Sequence, residues 1–508
     1  MSNRIAGIPT WVGLVTGFVL LIIHLSHYAY VDVDDAYIAF RYARNFALGD
    51  GLLFNPGEPP VEGYSAFLWV VTLASLAWIG LEIPISAQVL GAILSILAWI
   101  GMVLILRRSG SSKYAAWIAG LWLAASGSYA MWSMSGLETG LVAVLVILSY
   151  GLLAREELHG SGYLSAFSLA LLGLARAEGA IFFVSALVLK AVMHLRGQSA
   201  RTVRQDTKWL LAFVIPFLGF MIWRVSYYGY LVPNAVFAKS GGGYLYHALR
   251  GAHYTFQFLT AGAALLVFLI AVASLARFDR PIVRYGVVGL AAYSALILLA
   301  GGDWMPQFRF FAPVMPLICM LGAIGLEAIG EHWKSLGANR ATALAATLAT
   351  LIFGLFLGGS IQVSEIDRSV RAFVAPTRGG HDRATWLREN SASGDSIALV
   401  DSGILAYETE LSVIDMIGLN DAYIAHLSPR FPRGLAPGNG FGKWDVDYVL
   451  RMKPTFVQVH LSRERWEEGE LVTDWVGSDE LINDPRFLDS YKYVEDPSVA
   501  GIFVRKDT

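Results

Sequence analysis

Asp34 and Asp35 stand side by side just after the first long apolar block, with Asp32 two residues earlier. Adjacent carboxylates repel, so such a group needs a partner, a metal ion or a shared proton. The structural explanation is that Asp34 caps a helix over 36–48, but a cap accounts for one aspartate, not for three within four residues. A second set of side chains suits the binding of an anion: Arg224, Lys239 and Arg309, with Arg41 and Arg176 in reserve. Proton-accepting carboxylates and anion-holding cations are the tools of group transfer with a charged leaving group. Each has a plainer reading. Arg224, near the end of an apolar block, could snorkel to headgroups, and Arg309 could pair with Asp303. Glu138 and Glu178 could cap helices or pair with Arg176, and Tyr227, Tyr228 and Tyr230 suit an interfacial belt.

Metal and disulfide chemistry have little to draw on. The single cysteine, Cys319, lies inside an apolar block and reads as a small buried residue. His24 and His27, at the end of the first block, read as interfacial residues. Net charge is −2, which gives no electrostatic support for nucleic acid.

The elements that must position these groups are apolar. Of 508 residues 55% are hydrophobic, and mean hydropathy is +0.53. The excess falls before about residue 360, in blocks near the length that crosses a bilayer as helix. They are 11–28, 65–81, 87–106, 114–131, 137–154, 163–175, 177–193, 209–226, 254–276, 285–300, 311–330 and 340–360. The pair 163–175 and 177–193 is short and broken at Arg176-Ala177-Glu178-Gly179, as happens where backbone lines a cavity. No small-residue cleavage site follows the first block, so it reads as a retained span.

Charge bias sets the topology. If 65–81 lies at the outer surface without crossing, Lys and Arg in loops number 15 inside and 6 outside; if it crosses, 5 inside and 16 outside. The first arrangement is selected: eleven spans, an inner N-terminus and an outer C-terminal domain. Asp34, Asp35, Glu62, Glu138, Glu178 and Asp303 then share the outer face, where ionisable groups at membrane depth are usually functional.

The first outer loop has helical periodicity over 36–48, a stop at Gly49-Asp50-Gly51, and rigid turns at Asn55-Pro56-Gly57 and Pro59-Pro60. Segment 65–81 is expected as an interfacial helix. Residues 361–508 carry 24 acidic and 16 basic side chains. Strands are expected at Ile397–Val400, Tyr448–Leu450, Thr455–Val459 and Ile502–Val504, and helices at Arg383–Glu389 and Arg463–Glu470. The turn Asp401-Ser402-Gly403 and the stretch Asp415 to Asp421 read either as an acceptor groove or as scaffold turns. The expected class is therefore mainly α: a polytopic transmembrane bundle over 1–360 with a soluble extracytoplasmic α/β domain over 361–508.

Several motifs add a resemblance. Asp34-Asp35-Ala36-Tyr37-Ile38 with Phe40-Arg41-Tyr42 is followed by Asn55-Pro56-Gly57-Glu58, Glu62-Gly63-Tyr64-Ser65 and Phe67-Leu68-Trp69. Ser135-Gly136-Leu137-Glu138-Thr139, Arg176-Ala177-Glu178-Gly179, Tyr228-Gly229, Pro233-Asn234 and Lys239 come next, then Gly302-Asp303-Trp304-Met305-Pro306 with Arg309-Phe310. In the soluble part Asp415, Gly418-Leu419 and Asp421 match. Together these resemble the GT-C superfamily of membrane glycosyltransferases, and within it the terminal arabinofuranosyltransferases of mycobacterial and corynebacterial cell walls. The chain departs at Ala177, where proline is expected.

The resemblance implies transfer of a pentose, arabinofuranose, from decaprenyl- or undecaprenyl-phosphate arabinose to a glycan or glycoprotein acceptor. It places the protein in the bacterial inner membrane, with the C-terminal domain in the periplasm. Asp34 and Asp35 take the catalytic role. Arg41, Glu62, Tyr64, Glu138, Arg176, Glu178, Arg224, Asn234, Lys239, Asp303, Trp304 and Arg309 are implied in substrate binding. No cofactor is required, since fixed cations can hold the departing phosphate, although a divalent cation is compatible. Two other functions fit the composition: a lipid-linked sugar flippase, and a non-enzymatic envelope assembly protein. A flippase has no need of a large outer domain and should carry charge near the midplane of both halves.

Overall fold

A computed structural model describes residues 10–199, 201–240, 243–261, 264–333, 338–358, 365–430, 442–460, 473, 475–496 and 499–507. The chain forms two compact units that interleave in sequence. One comprises Met1–Val31, Ala87–Met221 and Tyr244–Arg371; the other comprises Asp32–Ser86, Ile222–Gly243 and Ala372–Thr508. The boundary expected near residue 360 falls on 359–364, outside the described residues.

The first unit is helical. Among the described residues, five helices are long and apolar enough to cross a bilayer, or up to seven if each bent pair is one span. Shorter apolar helices are Trp11–His27, Phe67–Trp78, Leu164–Ala175 and Leu344–Leu357. The 26-residue helix Ile83–Arg108 is about 39 Å long at 1.5 Å per residue. It exposes Ile85, Val89, Ile93, Leu97, Ile100 and Leu104 along one stripe, an apolar surface suited to hydrocarbon. Met315–Trp333 is the central helix, buried at almost every position from Met315 to Leu326, Cys319 included. Gly325 allows this: a Cβ there would lie 1.9 Å from the Ile270 carbonyl oxygen, so only glycine permits the close helix approach.

Two expected spans are differently built. The block 114–131 ends at Ala125, where Ser126 accepts the Tyr129 N–H and starts a new helix, Gly127–Met134. That helix lies at 118° to Thr139–His159, the break falling at Ser135-Gly136, where Gly136 has φ 78°. The block 254–276 is covered by Tyr244–Thr260, Ala264–Ala273 and the 3₁₀ turn Ser274–Arg277. The break at 176–179 is as expected: Leu164–Ala175, a 3₁₀ turn at Ala177–Gly179, then Ala180–Leu195. His24 is not interfacial; it is buried, its Nδ1 2.9 Å from the Ala124 carbonyl. His27 pairs with buried Asp367 at 3.0 Å.

In the second unit, α1 (Asp34–Leu48) begins two residues before the expected start and ends on Gly49 at φ 95°. Helix α2 (Phe67–Trp78) has 12 residues, about 18 Å, too short to cross a core of about 30 Å. The sheet has strands β1 (Ser396–Leu399), β2 (Ser412–Asp415), β3 (Phe456–Gln458), β4 (Tyr491–Tyr493) and β5 (Ile502–Arg505) in the order β2-β1-β3-β5-β4. β1 is parallel to β2 and β3; β5 is antiparallel to β3 and β4. Three expected strands stand. The fourth, Tyr448–Leu450, is instead inside the helix Val446–Met452, which Asp445 caps by accepting the Tyr448 N–H. The expected helix Arg383–Glu389 is part of a longer one, Glu365–Asn390. Arg463–Glu470 lies outside the described residues.

Candidate functional site

Chemistry-bearing side chains gather in two constellations, one within each unit. In the second unit, α1 opens with Asp34 and Asp35 in its first turn, where the helix dipole favours negative charge. Asp34 does not cap α1: the N-cap is Val33, and no side chain accepts there. Its carboxylate reaches the C-terminal segment instead, where Oδ1 accepts the Ile404 N–H at 2.8 Å. Loss of solvent, then the nearby Asp401 charge, pushes Asp34 up to about 8. Asp401 contacts His460 through Oδ2 and Nε2. Partial loss of solvent works against Asp401 ionising, but the His460 imidazolium outweighs it and holds Asp401 below the usual range.

Arg41 is consumed elsewhere in this unit. It is 2% exposed. Its Nε donates to Phe54 O at 2.6 Å, one terminal nitrogen to Ala406 O, and the other to Asn55 Oδ1 at 3.1 Å and Leu411 O at 2.8 Å. It ties two chain segments together, and this corrects its reserve role as a phosphate ligand. Arg224 and Glu62 form a bidentate pair at 2.7 and 2.8 Å, both buried. Snorkelling is thereby excluded as the account of Arg224. Tyr64 meets Tyr228 through their hydroxyls at 2.9 Å, and Tyr228 donates on to Leu52 O. The Asn234 amide donates to the carbonyls of Gly418 and Leu419 at 2.8 and 3.0 Å. Lys239 is half-buried and ends the helix Asn234–Ala238.

The stretch Asp415 to Asp421 has the geometry of a scaffold turn. Asp415, fully buried, accepts the backbone N–H groups of Ile417, Gly418 and Asn420, and burial pushes it up to about 6. Asp421 caps Ala422–Ala425 and accepts the Tyr448 hydroxyl at 2.9 Å.

The first unit brings together Glu138, Arg176, Glu178, Asp303, Trp304 and Arg309. Arg176 bonds Glu138 at 2.7 Å and Glu178 at 2.5 Å. Arg309 bonds Asp303 at 2.6 Å, the salt bridge that the plainer reading of Arg309 expects. The Phe310 ring lies 5.3 Å from the Arg176 guanidinium and 5.5 Å from that of Arg309, within cation–π reach of both. Trp304 is 44% exposed, and its N–H donates to Asp303 Oδ1. The loop that aims Arg309 is strained: Gln307 and Phe308 have φ of 59° and 54°, rare for non-glycine residues. The Gln307 carbonyl is pinned by Ser128 Oγ at 2.6 Å and Trp132 Nε1 at 3.1 Å.

A family model described as a domain of unknown function (DUF8728) matches residues 371–500. A curated relative, the terminal beta-(1->2)-arabinofuranosyltransferase of Mycobacterium tuberculosis, is 28% identical over 343 residues, 58% of this chain and 52% of that protein. The protein of the same name from Corynebacterium glutamicum is 23% identical over 356 residues, 60% of this chain and 49% of its own length. The chain thus spans about half the length of the curated relatives it matches. In structure it is similar to ArnT from Cupriavidus metallidurans, crystallised with undecaprenyl phosphate: TM-score 0.54, 13% identity, 80% of this chain and 85% of that one. The Archaeoglobus fulgidus oligosaccharyltransferase aligns with TM-score 0.50 and 14% identity over 79% of this chain and 62% of that one. The fold is that of the GT-C glycosyltransferases. Its hydropathy and apolar helices are those of a multi-pass membrane protein.

Sequence reasoning missed two groups. His460 follows β3 by two residues, and its place past the carboxyl end of a parallel strand is the signal that could have found it. His381 bridges Glu408 at 2.6 Å and Asp32 at 2.8 Å; nothing in local spacing announces it. Among the described residues no three His, Cys, Asp or Glu side chains are arranged to hold a metal ion.

Proposed function

We propose that this chain is an integral membrane glycosyltransferase that moves a pentose, arabinofuranose, from a polyprenyl-phosphate donor to an extracytoplasmic glycan or glycoprotein acceptor. The observation that carries the reading is the 28% identity to a terminal arabinofuranosyltransferase over 58% of the chain. The polyprenyl phosphate held by ArnT supports the donor class. The curated relatives are transferases by name, which favours transfer over flipping or passive assembly.

In the reaction the acceptor oxygen bonds the anomeric carbon, and the bond from that carbon to the lipid phosphate breaks with its electron pair on phosphate. The acceptor proton passes to a carboxylate, Asp35, which also faces developing positive charge on the sugar. Arg224, Lys239 and Arg309 are the cations proposed for the departing phosphate, with Arg176 in reserve. The chain crosses the bacterial inner membrane eleven times, with α2 lying at the outer surface and the C-terminal segment in the periplasm. No cofactor is needed.

The test is direct. Purified protein given short-chain lipid-phosphate arabinose releases lipid phosphate in the presence of acceptor; activity with nucleotide sugars alone overturns the reading. Cysteines replacing His159 and Asp489 label from opposite sides, the second from outside.

A further inference from the structure

The sheet of the second unit changes direction of travel beside β1. From β1 the chain goes to β2 on one side; from β2 it crosses to β3 on the other. Loops leaving the carboxyl ends of β1 and β3 therefore diverge, and in open α/β sheets such a divergence is where ligands bind. Each loop places an ionisable residue there, two positions past its strand: Asp401 after Leu399, His460 after Gln458. The two side chains touch, yet stay 39% and 37% exposed, so a substrate can reach them. Gln458 Oε1 accepts the Val400 N–H at 3.2 Å and fixes the two strand ends to each other.

The same loop is pressed onto Asp34. A Cβ at Gly403 would lie 2.1 Å from the Asp34 carbonyl oxygen and 2.4 Å from its Oδ2, so no other residue fits there. Ile404 then donates to Asp34 Oδ1. From the helix Glu365–Asn390, Arg383 faces Asp401 and Asp34, and its Nε is buried without a hydrogen-bond partner. The charged groups around Asp34 are thus Asp35 from its own helix, Asp401 and His460 from the sheet loops, and Arg383 from the long helix, with Asp382 beside Arg383.

We propose that Asp401 and His460 are positioning residues of the Asp34–Asp35 centre: joined to each other where the two loops diverge, they set the charge that faces Asp34 beside the Gly403-Ile404 turn. The inference rests on the transferase reading and deepens it. Asp34 then offers its proton as a hydrogen bond to the bound acceptor, and Asp35 takes the hydroxyl proton as the new glycosidic bond forms and the bond from the anomeric carbon to the lipid phosphate breaks with its electron pair on phosphate. Like-charged carboxylates that share one proton divide acid and base roles in this way. The directions agree: Asp401 raises His460, and after loss of solvent the Asp401 charge does most to raise Asp34.

The experiment compares full-length wild type, Asp401→Asn and His460→Gln in detergent, with two readouts. The first is the pH profile of kcat. Removing the Asp401 charge moves the alkaline limb, near pH 8 in wild type, to lower pH by about one unit or more; removing the His460 cation moves it to higher pH. The second is the titration of ¹³C-labelled histidine followed by NMR, with His460 assigned by its loss in His460→Gln. Its midpoint lies above the ordinary histidine range in wild type and falls in Asp401→Asn. Transfer that merely weakens, with unmoved pH limbs in both variants, overturns the proposal while the transferase reading stands. Absence of transfer in wild type overturns that reading, and the NMR readout then decides the coupling alone: a His460 midpoint indifferent to Asp401→Asn overturns it.

Discussion

Asp34 Oδ1 accepts the backbone N–H of Ile404 at 2.8 Å, so the first carboxylate of the pair is a fastening as well as a charge. Asparagine keeps that acceptor. Asp34→Asn should therefore extract as a folded, monodisperse protein.

Asp35→Asn separates chemistry from structure. If Asp35 takes the acceptor proton, its isosteric amide lowers transfer by roughly 10²–10⁴-fold, with extraction and unfolding temperature unchanged. Near-normal turnover in both Asp34→Asn and Asp35→Asn would send the search for the catalytic carboxylate to Glu62, Glu138 or Asp303.

Arg309→Ala should weaken donor binding more than Asp35→Asn does. A cation on the lipid phosphate acts in the bound and transition states alike, while the base acts mainly in the chemical step. Binding of a short-chain lipid phosphate, followed by tryptophan fluorescence or calorimetry, distinguishes them. Equal loss in both variants sinks the division of roles.

Arg41→Ala should act on stability. It takes the arginine donors from the carbonyls of Ala406 and Leu411, while the Phe54 carbonyl keeps the Asn45 amide at 3.1 Å. Each unsatisfied buried acceptor costs about 1–3 kcal/mol, so the unfolding temperature should drop sharply. A variant with normal unfolding that fails to bind lipid phosphate would restore Arg41 to the ligand.

His381 gives a pH signature. Hydrogen bonds to Asp32 and then Glu408 raise it to about 10. A raised histidine adds stability that is fully present below its unfolded value near 6.5 and is lost as pH rises through the folded value. The gap in unfolding temperature between wild type and His381→Gln should thus be wide near pH 6 and close by about pH 10. A gap constant over that range would mean that the bridge carries no charge.

Much of this was legible early. The 3.6-residue period of α1 and its Gly49-Asp50-Gly51 stop gave an element correct to two residues. The acidic pair and the Arg309 loop were visible as residue types. Short elements were not: β2 and β4 have four and three residues, and a three-residue apolar run such as Tyr448–Leu450 fits strand or helix equally. The partnership of Asp34 with Asp401 and His460 was hidden because a sheet crossover, not sequence spacing, assembles it.

The interleaving of the second unit has a temporal side. Arg41 and the carbonyl of Ala406 are 365 positions apart, and at roughly 5–20 residues per second of synthesis about 20–70 s separate their emergence. Throughout that interval α1 holds an arginine two of whose acceptors, the carbonyls of Ala406 and Leu411, do not yet exist. Any product that stops before Ala406 keeps this cation short of two acceptors. The arrival of residues 406–411 therefore closes a hydrogen-bond set that α1 opened hundreds of residues earlier.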